Sequence, residues 1–300
     1  MVLLVMDEEK DDWKQITKEE KEEMPEEEQE KVLYLDGKEK KKLDFGLGQI
    51  KKDNDVIGVV EGPEGSGKSA KAGNIMRYIS KDKFDPKKHM IGSDYEDGIK
   101  KIEEAPHKGF LMFDEGNVFF LSTDVMKKES RDLHKVFSIF RQKNLFVLIV
   151  LPSFFRLNSY FALDRSDFLC RTYLMEGKRG YFAFYGTKRK AQLYWKGKES
   201  HNHNAVTPTL RGRFTRCYSL ETKEYKDFKL KTLQKSLTIA KAIRRKTPTE
   251  IKRDVIQAMI KKNPEKTSIE LSKTLGISSS YIRALRLKEK SEFKDTKDTQ

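Results

Sequence analysis

Cysteine is scarce in this chain of 300 residues: Cys170 and Cys217 stand far apart and without ligand-type spacing. That argues against a disulfide framework and a cysteine-built zinc site, and it reads as a pair of reduced thiols in an intracellular protein. Long apolar runs are missing too. The most apolar stretch, Leu145 to Leu151, is too short to cross a bilayer of roughly 30 Å as a helix. The run Met1 to Met6 is too short for a signal-peptide core, and the acidic residues after it do not suit a transit peptide. The expected setting is therefore cytoplasmic, the host cytoplasm if the source is viral, with no membrane segment. No internal repeat is visible. His201-Asn202-His203-Asn204 lacks supporting ligands and reads as a polar loop.

What the chain has in abundance is charge. Lys and Arg number 61 against 47 Asp and Glu, a net charge of +14. Such a balance favours polyanionic partners, nucleic acid first, although Lys enrichment also serves simply to solvate a surface. The distribution is uneven. Residues 1–50 read as an acidic, partly disordered N-terminal arm, dominated from Asp7 to Glu30 by Asp and Glu. Residues 51–230 alternate apolar runs of strand length with helical stretches, which predicts an α/β domain with a mainly parallel central sheet. Its strands are expected at Val56–Val60, His89–Gly92, Phe110–Phe113, Leu145–Leu151 and Leu169–Leu174. From about residue 175 the text turns alternating and aromatic, predicting a β-hairpin extension packed by Phe182, Phe184, Leu193 and Tyr194. Residues 231–290 read as a small all-α domain and 291–300 as a disordered tail.

Gly62-Pro63-Glu64-Gly65-Ser66-Gly67-Lys68-Ser69 satisfies G-x-x-x-x-G-K-[ST], and it lies between an apolar strand and a helix start, where a phosphate-binding loop must lie. The glycines permit backbone conformations that turn successive N–H groups inward at a helix N-terminus. Lys68 would neutralise the β- and γ-phosphates of ATP, Ser69 would ligate Mg²⁺, and Ala70 completes the nucleotide-contacting run. Downstream, Gly109 to Glu115 is an apolar strand ending in two carboxylates and resembles a Walker B element. Asp114 would hold the Mg²⁺ shell, and Glu115 would serve as general base toward the attacking water. After the next strand Ser153 is placed to sense the γ-phosphate. Arg141 first, then Arg165, with Arg156 the remaining candidate, could supply an arginine finger to a neighbouring subunit.

Thr247-Pro248-Thr249-Glu250 marks a helix start, with Ile251, Val255, Met259 and Ile260 on its buried face. Thr267 to Leu287 has the spacing of a helix-turn-helix. Leu271, Leu275, Ile277, Ile282 and Leu285 pack, Ser272 allows close crossing, Gly276 turns, and Ser278 caps the second helix. Ser279, Ser280, Tyr281 and Arg283 would face a major groove, with Lys273, Arg286 and Lys288 on phosphates. A helical hairpin for protein contact is the alternative.

The P-loop, the Asp114-Glu115 pair and the Arg-x-x-Asn-Leu approach to the strand at Leu145 together resemble the additional-strand catalytic-glutamate P-loop ATPases. Within that class the chain looks like the FtsK/HerA-like and zonular-occludens-toxin-like ATPases of viruses and mobile elements. The resemblance covers roughly residues 55 to 175 and implies a homo-oligomer, with a hexameric ring as one form, that translocates or packages double-stranded DNA. Those relatives commonly carry Gln or Asn where this chain has Ser153. An ATP-switched DNA-binding regulator or partition-type protein with slow hydrolysis is the competing reading.

Overall fold

In the computed structural model the described residues are 2–92, 94–114, 140–243, 256, 259–260, 265–275 and 277–285. The first elements are β1 (Val2–Asp7), β2 (Asp12–Ile16), α1 (Lys18–Glu22), α2 (Glu26–Lys31), β3 (Leu33–Leu35) and α3 (Gly37–Lys51). Then come β4 (Val56–Glu61), α4 (Lys68–Ile79), α5 (Pro86–His89), β5 (Met90–Ile91), α6 (Tyr95–Glu104), β6 (Phe110–Phe113) and β7 (Phe146–Leu151). The remainder are β8 (Phe168–Met175), β9 (Lys178–Gly186), α7 (Thr187–Gly197), β10 (Leu210–Arg213), α8 (Lys223–Ile243) and α9 (Ser268–Leu275). Two compact units divide the chain, Met1–Leu237 and Thr238–Gln300.

A seven-stranded sheet of order β10-β9-β8-β4-β7-β6-β5 organises the first unit. The five strands from β8 to β5 run parallel, while β9 and β10 are antiparallel additions. The mainly parallel α/β arrangement is consistent with a P-loop NTPase-like fold. Strand β7 lies between β4 and β6, with Phe146 opposite Val56 on one side and Phe110 on the other. Both β4 and β7 are buried at all six positions, which is stable only where both faces of the sheet are covered. One face gathers Ile57, Val59, Val147 and Ile149 with Ile102 of α6 and Leu193 and Tyr194 of α7. The other gathers Val56, Val60, Leu148 and Val150 with Ile75 and Met76 of α4 and Leu43 of α3. All five parallel strands end on one edge, and that edge carries the site.

Two expectations give way. The stretch read as a loose acidic arm contains a three-stranded antiparallel sheet, β2-β1-β3, whose Leu4, Leu33 and Leu35 enter the same core as α4. It is tied down further by the Trp13 indole, which donates to Tyr78 O at 2.9 Å, and by Arg77, which donates to Lys31 O at 2.7 Å. The segment expected to supply hairpin packing through Leu193 and Tyr194 is helix α7. Its buried positions Lys190, Leu193, Tyr194 and Gly197 follow a helical stripe, and the β8–β9 hairpin is part of the main sheet rather than an appendage.

Within the second unit, Ile256, Ile260, Leu271, Ile282 and Leu285 form a small core joined by Leu275 and Ile277. Thr267 and Glu270 exchange side-chain and backbone hydrogen bonds as a capping box at the start of α9. A second helix occupies 279–285, with Tyr281 N donating to Ser278 Oγ at 3.4 Å. Ser272 hydrogen-bonds Ile277 O across the turn at 2.6 Å, a role beyond its small size. Met259, expected on the buried face, is 43% exposed, and Ile256 takes the buried position instead. The helix start at 247–250, Ile251, Val255, Gly276, Arg286, Lys288 and the tail lie outside the described residues.

Candidate nucleotide site

The loop after β4 has the backbone that the glycines predict. Gly62, Gly65 and Gly67 take φ of +152°, +74° and +91°, a region in which side chains are strained. Space is short as well at two of these glycines. A Cβ on Gly62 would meet Thr172 O and Oγ1 at 2.4 Å, and one on Gly67 would meet the Phe214 ring at 3.1 Å. Gly67 is the N-cap of α4, and the first turn carries no acidic side chain, so the positive end of the helix dipole stands open to an anion. Ser66 locks the loop: its Oγ donates to Pro63 O at 2.7 Å and lies 2.7 Å from Thr172 Oγ1, which bonds Glu61 O at 3.1 Å. Lys68 folds back, Nζ donating to Pro63 O at 2.9 Å. Burial lowers its pKa, opposed by the negative charges of Glu64, Asp114 and Glu61.

Asp114 emerges from the end of β6, its N–H donating to Ile91 O at 2.9 Å, and is 2% exposed. Ser69 Oγ donates to its Oδ1 at 3.0 Å, so the two residues assigned to the metal meet although 45 positions separate them. The other oxygen, Oδ2, is buried without a hydrogen-bond partner. Lys229 Nζ of α8 lies 2.7 Å from it, an ion pair by distance whose alignment falls short of a hydrogen bond. Hydroxyl and carboxylate are hard oxygen donors of the kind Mg²⁺ takes, alongside phosphate and water, and the unsatisfied Oδ2 fits a cation there. Tyr225, one turn before Lys229, lies beside the Ser69 side chain. Burial, with the Asp114 charge adding to it, pushes that phenol up to about 12.

Glu61, the last residue of β4, is 1% exposed. Its Oε2 accepts from Phe154 N at 2.7 Å, and its Oε1 lies 2.7 Å from His203 Nε2 without hydrogen-bond alignment. His203, expected to be an idle loop residue, therefore packs beneath the phosphate-binding loop, its ring 4.5 Å from that of Phe155. Ser153 follows β7 on this same edge. The arginines divide differently. Arg165 pairs with Asp55, just before β4 begins, at 2.5 Å, and Arg141 precedes β7, so both stand at the opposite edge of the sheet. Arg156 follows β7 and is exposed on the loop edge. Glu115 and the basic stretch from Lys127 to Lys135 lie outside the described residues.

Thr172, Phe214, Tyr225 and Lys229 had no signal in the sequence, because strand order and the return of α8 alone bring them to the loop. In the second unit Ser280, Tyr281 and Arg283 are exposed and Ser279 is partly so; the Lys273 side chain lies outside the described set. Among the described residues no group of three or more His, Cys, Asp or Glu side chains is placed to hold a metal. None of the described helices is long and apolar enough to cross a membrane.

No protein-family model matches the chain, and no curated protein matches it. Among solved structures, the N-terminal domain of zonular occludens toxin from Neisseria meningitidis is similar over 58% of this chain and 98% of that one, at 12% identity and a TM-score of 0.36. Likeness at that level is too slight to argue from.

Proposed function

We propose that the chain is a Mg²⁺-dependent P-loop ATPase that couples hydrolysis to DNA as a cytoplasmic, oligomeric translocation or packaging motor. One observation carries the nucleotide reading: Ser69 at the mouth of α4 and Asp114 from β6 meet at 3.0 Å with β7 between their strands. In this reading the backbone of Gly62 to Ala70 cradles the triphosphate and Lys68 swings from Pro63 O to its β- and γ-oxygens. Ser69 and Asp114 would hold Mg²⁺, which supplies charge neutralisation to the phosphates when bound. Glu115 accepts the proton of the attacking water, and Ser153 bonds the γ-phosphate. Of the three arginines Arg156, exposed after β7, is the best placed to act on a neighbouring subunit of a homo-oligomer such as a hexameric ring. In the second unit Ser279, Ser280, Tyr281 and Arg283 would read bases while Lys273 and Arg286 grip the backbone of double-stranded DNA.

A slow ATP-dependent switch on DNA is the second reading, and the Lys229–Asp114 contact favours it, since a covered metal site delays turnover. Steady-state ATP hydrolysis with and without double-stranded DNA, using Glu115→Gln as control, separates the two. A motor is stimulated by DNA in a way that fades with salt. Hydrolysis indifferent to DNA would leave the switch.

A further inference from the structure

Helix α8 presents one stripe to the catalytic edge: Tyr225, Phe228, Lys229 and Thr232, at the spacing of a helix face. Phe228 and Thr232 anchor it beyond β5, where a Cβ on Gly92 would meet Thr232 Oγ1 at 2.6 Å and the Phe228 ring at 3.4 Å. Lys101 Nζ, held by Met90 O at 2.6 Å, lies 5.6 Å from the centre of that ring. The stripe's other two members, Tyr225 and Lys229, then fall beside the two metal-assigned residues. Lys229 places its ammonium 2.7 Å from Asp114 Oδ2, and Tyr225 lies beside Ser69. A cation on Asp114 compensates a carboxylate that is 2% exposed, as a buried charge requires; a divalent ion arriving at the same oxygen meets that cation as a like charge.

We infer that α8 is an inhibitory strap: Lys229 covers the Asp114 carboxylate, Tyr225 lies beside Ser69, and Mg-nucleotide binds only by displacing them. The inference rests on the nucleotide reading above. It fixes a sign that a phosphate-binding lysine would reverse. Removing a competitor raises affinity, because the strapped population no longer taxes binding, whereas removing a phosphate ligand lowers it.

The test is equilibrium titration with the fluorescent nucleotide mant-ATP, in excess Mg²⁺ and in EDTA, on the full chain. Lys229→Met should bind roughly tenfold more tightly than wild type in Mg²⁺, with the gain shrinking in EDTA, and Lys229→Arg should stay near wild type. Tyr225→Phe, which removes a single hydroxyl, should tighten binding severalfold and carries the test alone if Lys229→Met fails to fold. Equal or weaker binding by Lys229→Met, or by Tyr225→Phe in that case, overturns the strap. If Lys68→Ala binds as tightly as wild type, the nucleotide site fails, and the strap fails with it.

Discussion

The two edges of the central sheet treat charge in opposite ways. Where the parallel strands begin, polar groups are closed: Asp167 accepts from Ile57 N at 2.8 Å, Arg165 meets Asp55 at 2.5 Å, Lys108 meets Asp53 at 3.0 Å, and Lys190 donates to Ser166 Oγ at 2.8 Å. Where they end, Glu61 and Asp114 are both buried, and each has an oxygen without a hydrogen-bond partner. Those oxygens face basic side chains instead: Lys229 Nζ lies 2.7 Å from Asp114 Oδ2, and His203 Nε2 and Arg171 Nε lie 2.7 and 3.7 Å from Glu61 Oε1. The first edge closes its charges in hydrogen bonds and ion pairs that tie the strand ends together, and the second keeps two buried carboxylates at the edge proposed to bind nucleotide.

Substitutions at each edge sharpen that contrast. The largest effect is expected from Glu115→Gln, which should retain ATP while turnover falls about 10²- to 10⁴-fold, read by single-turnover phosphate release. Lys68→Ala comes next: losing a charged contact to phosphate should weaken ATP binding at least about thirtyfold with little change in melting temperature. At the opposite edge Arg165→Ala should invert the pattern, costing about 1–3 kcal/mol in denaturant unfolding while ATP affinity holds. A large loss of affinity there would erase the distinction between the edges. Smallest is Ser153→Ala, for which a severalfold fall in turnover with unchanged ATP affinity is expected.

Much of this was legible in the sequence, for identifiable reasons. Strands β4, β6 and β7 are buried parallel strands, as is the first half of β8, and such strands write themselves as apolar runs. Gly62 to Ser69 is legible because its positive φ values admit few residues but glycine. By contrast β2, Asp12–Ile16, is polar and largely exposed, so nothing in its pattern separates it from an acidic tail. Helix α7 was legible in principle, since 190, 193, 194 and 197 mark a helical stripe, but its aromatic residues suggested alternation. Glu61, His203, Thr172, Tyr225 and Lys229 belong to the site through topology alone. No local pattern places a residue of α8 on a carboxylate that lies 115 positions earlier in the chain.

Calorimetric titration of ATP with Mg²⁺ into the wild-type chain and into Lys68→Ala tests the central claim most directly. The account predicts saturable one-site binding to the wild type and its loss in the variant, with both proteins melting alike. Binding that survives the Lys68 substitution, or is absent from the wild type, would contradict it.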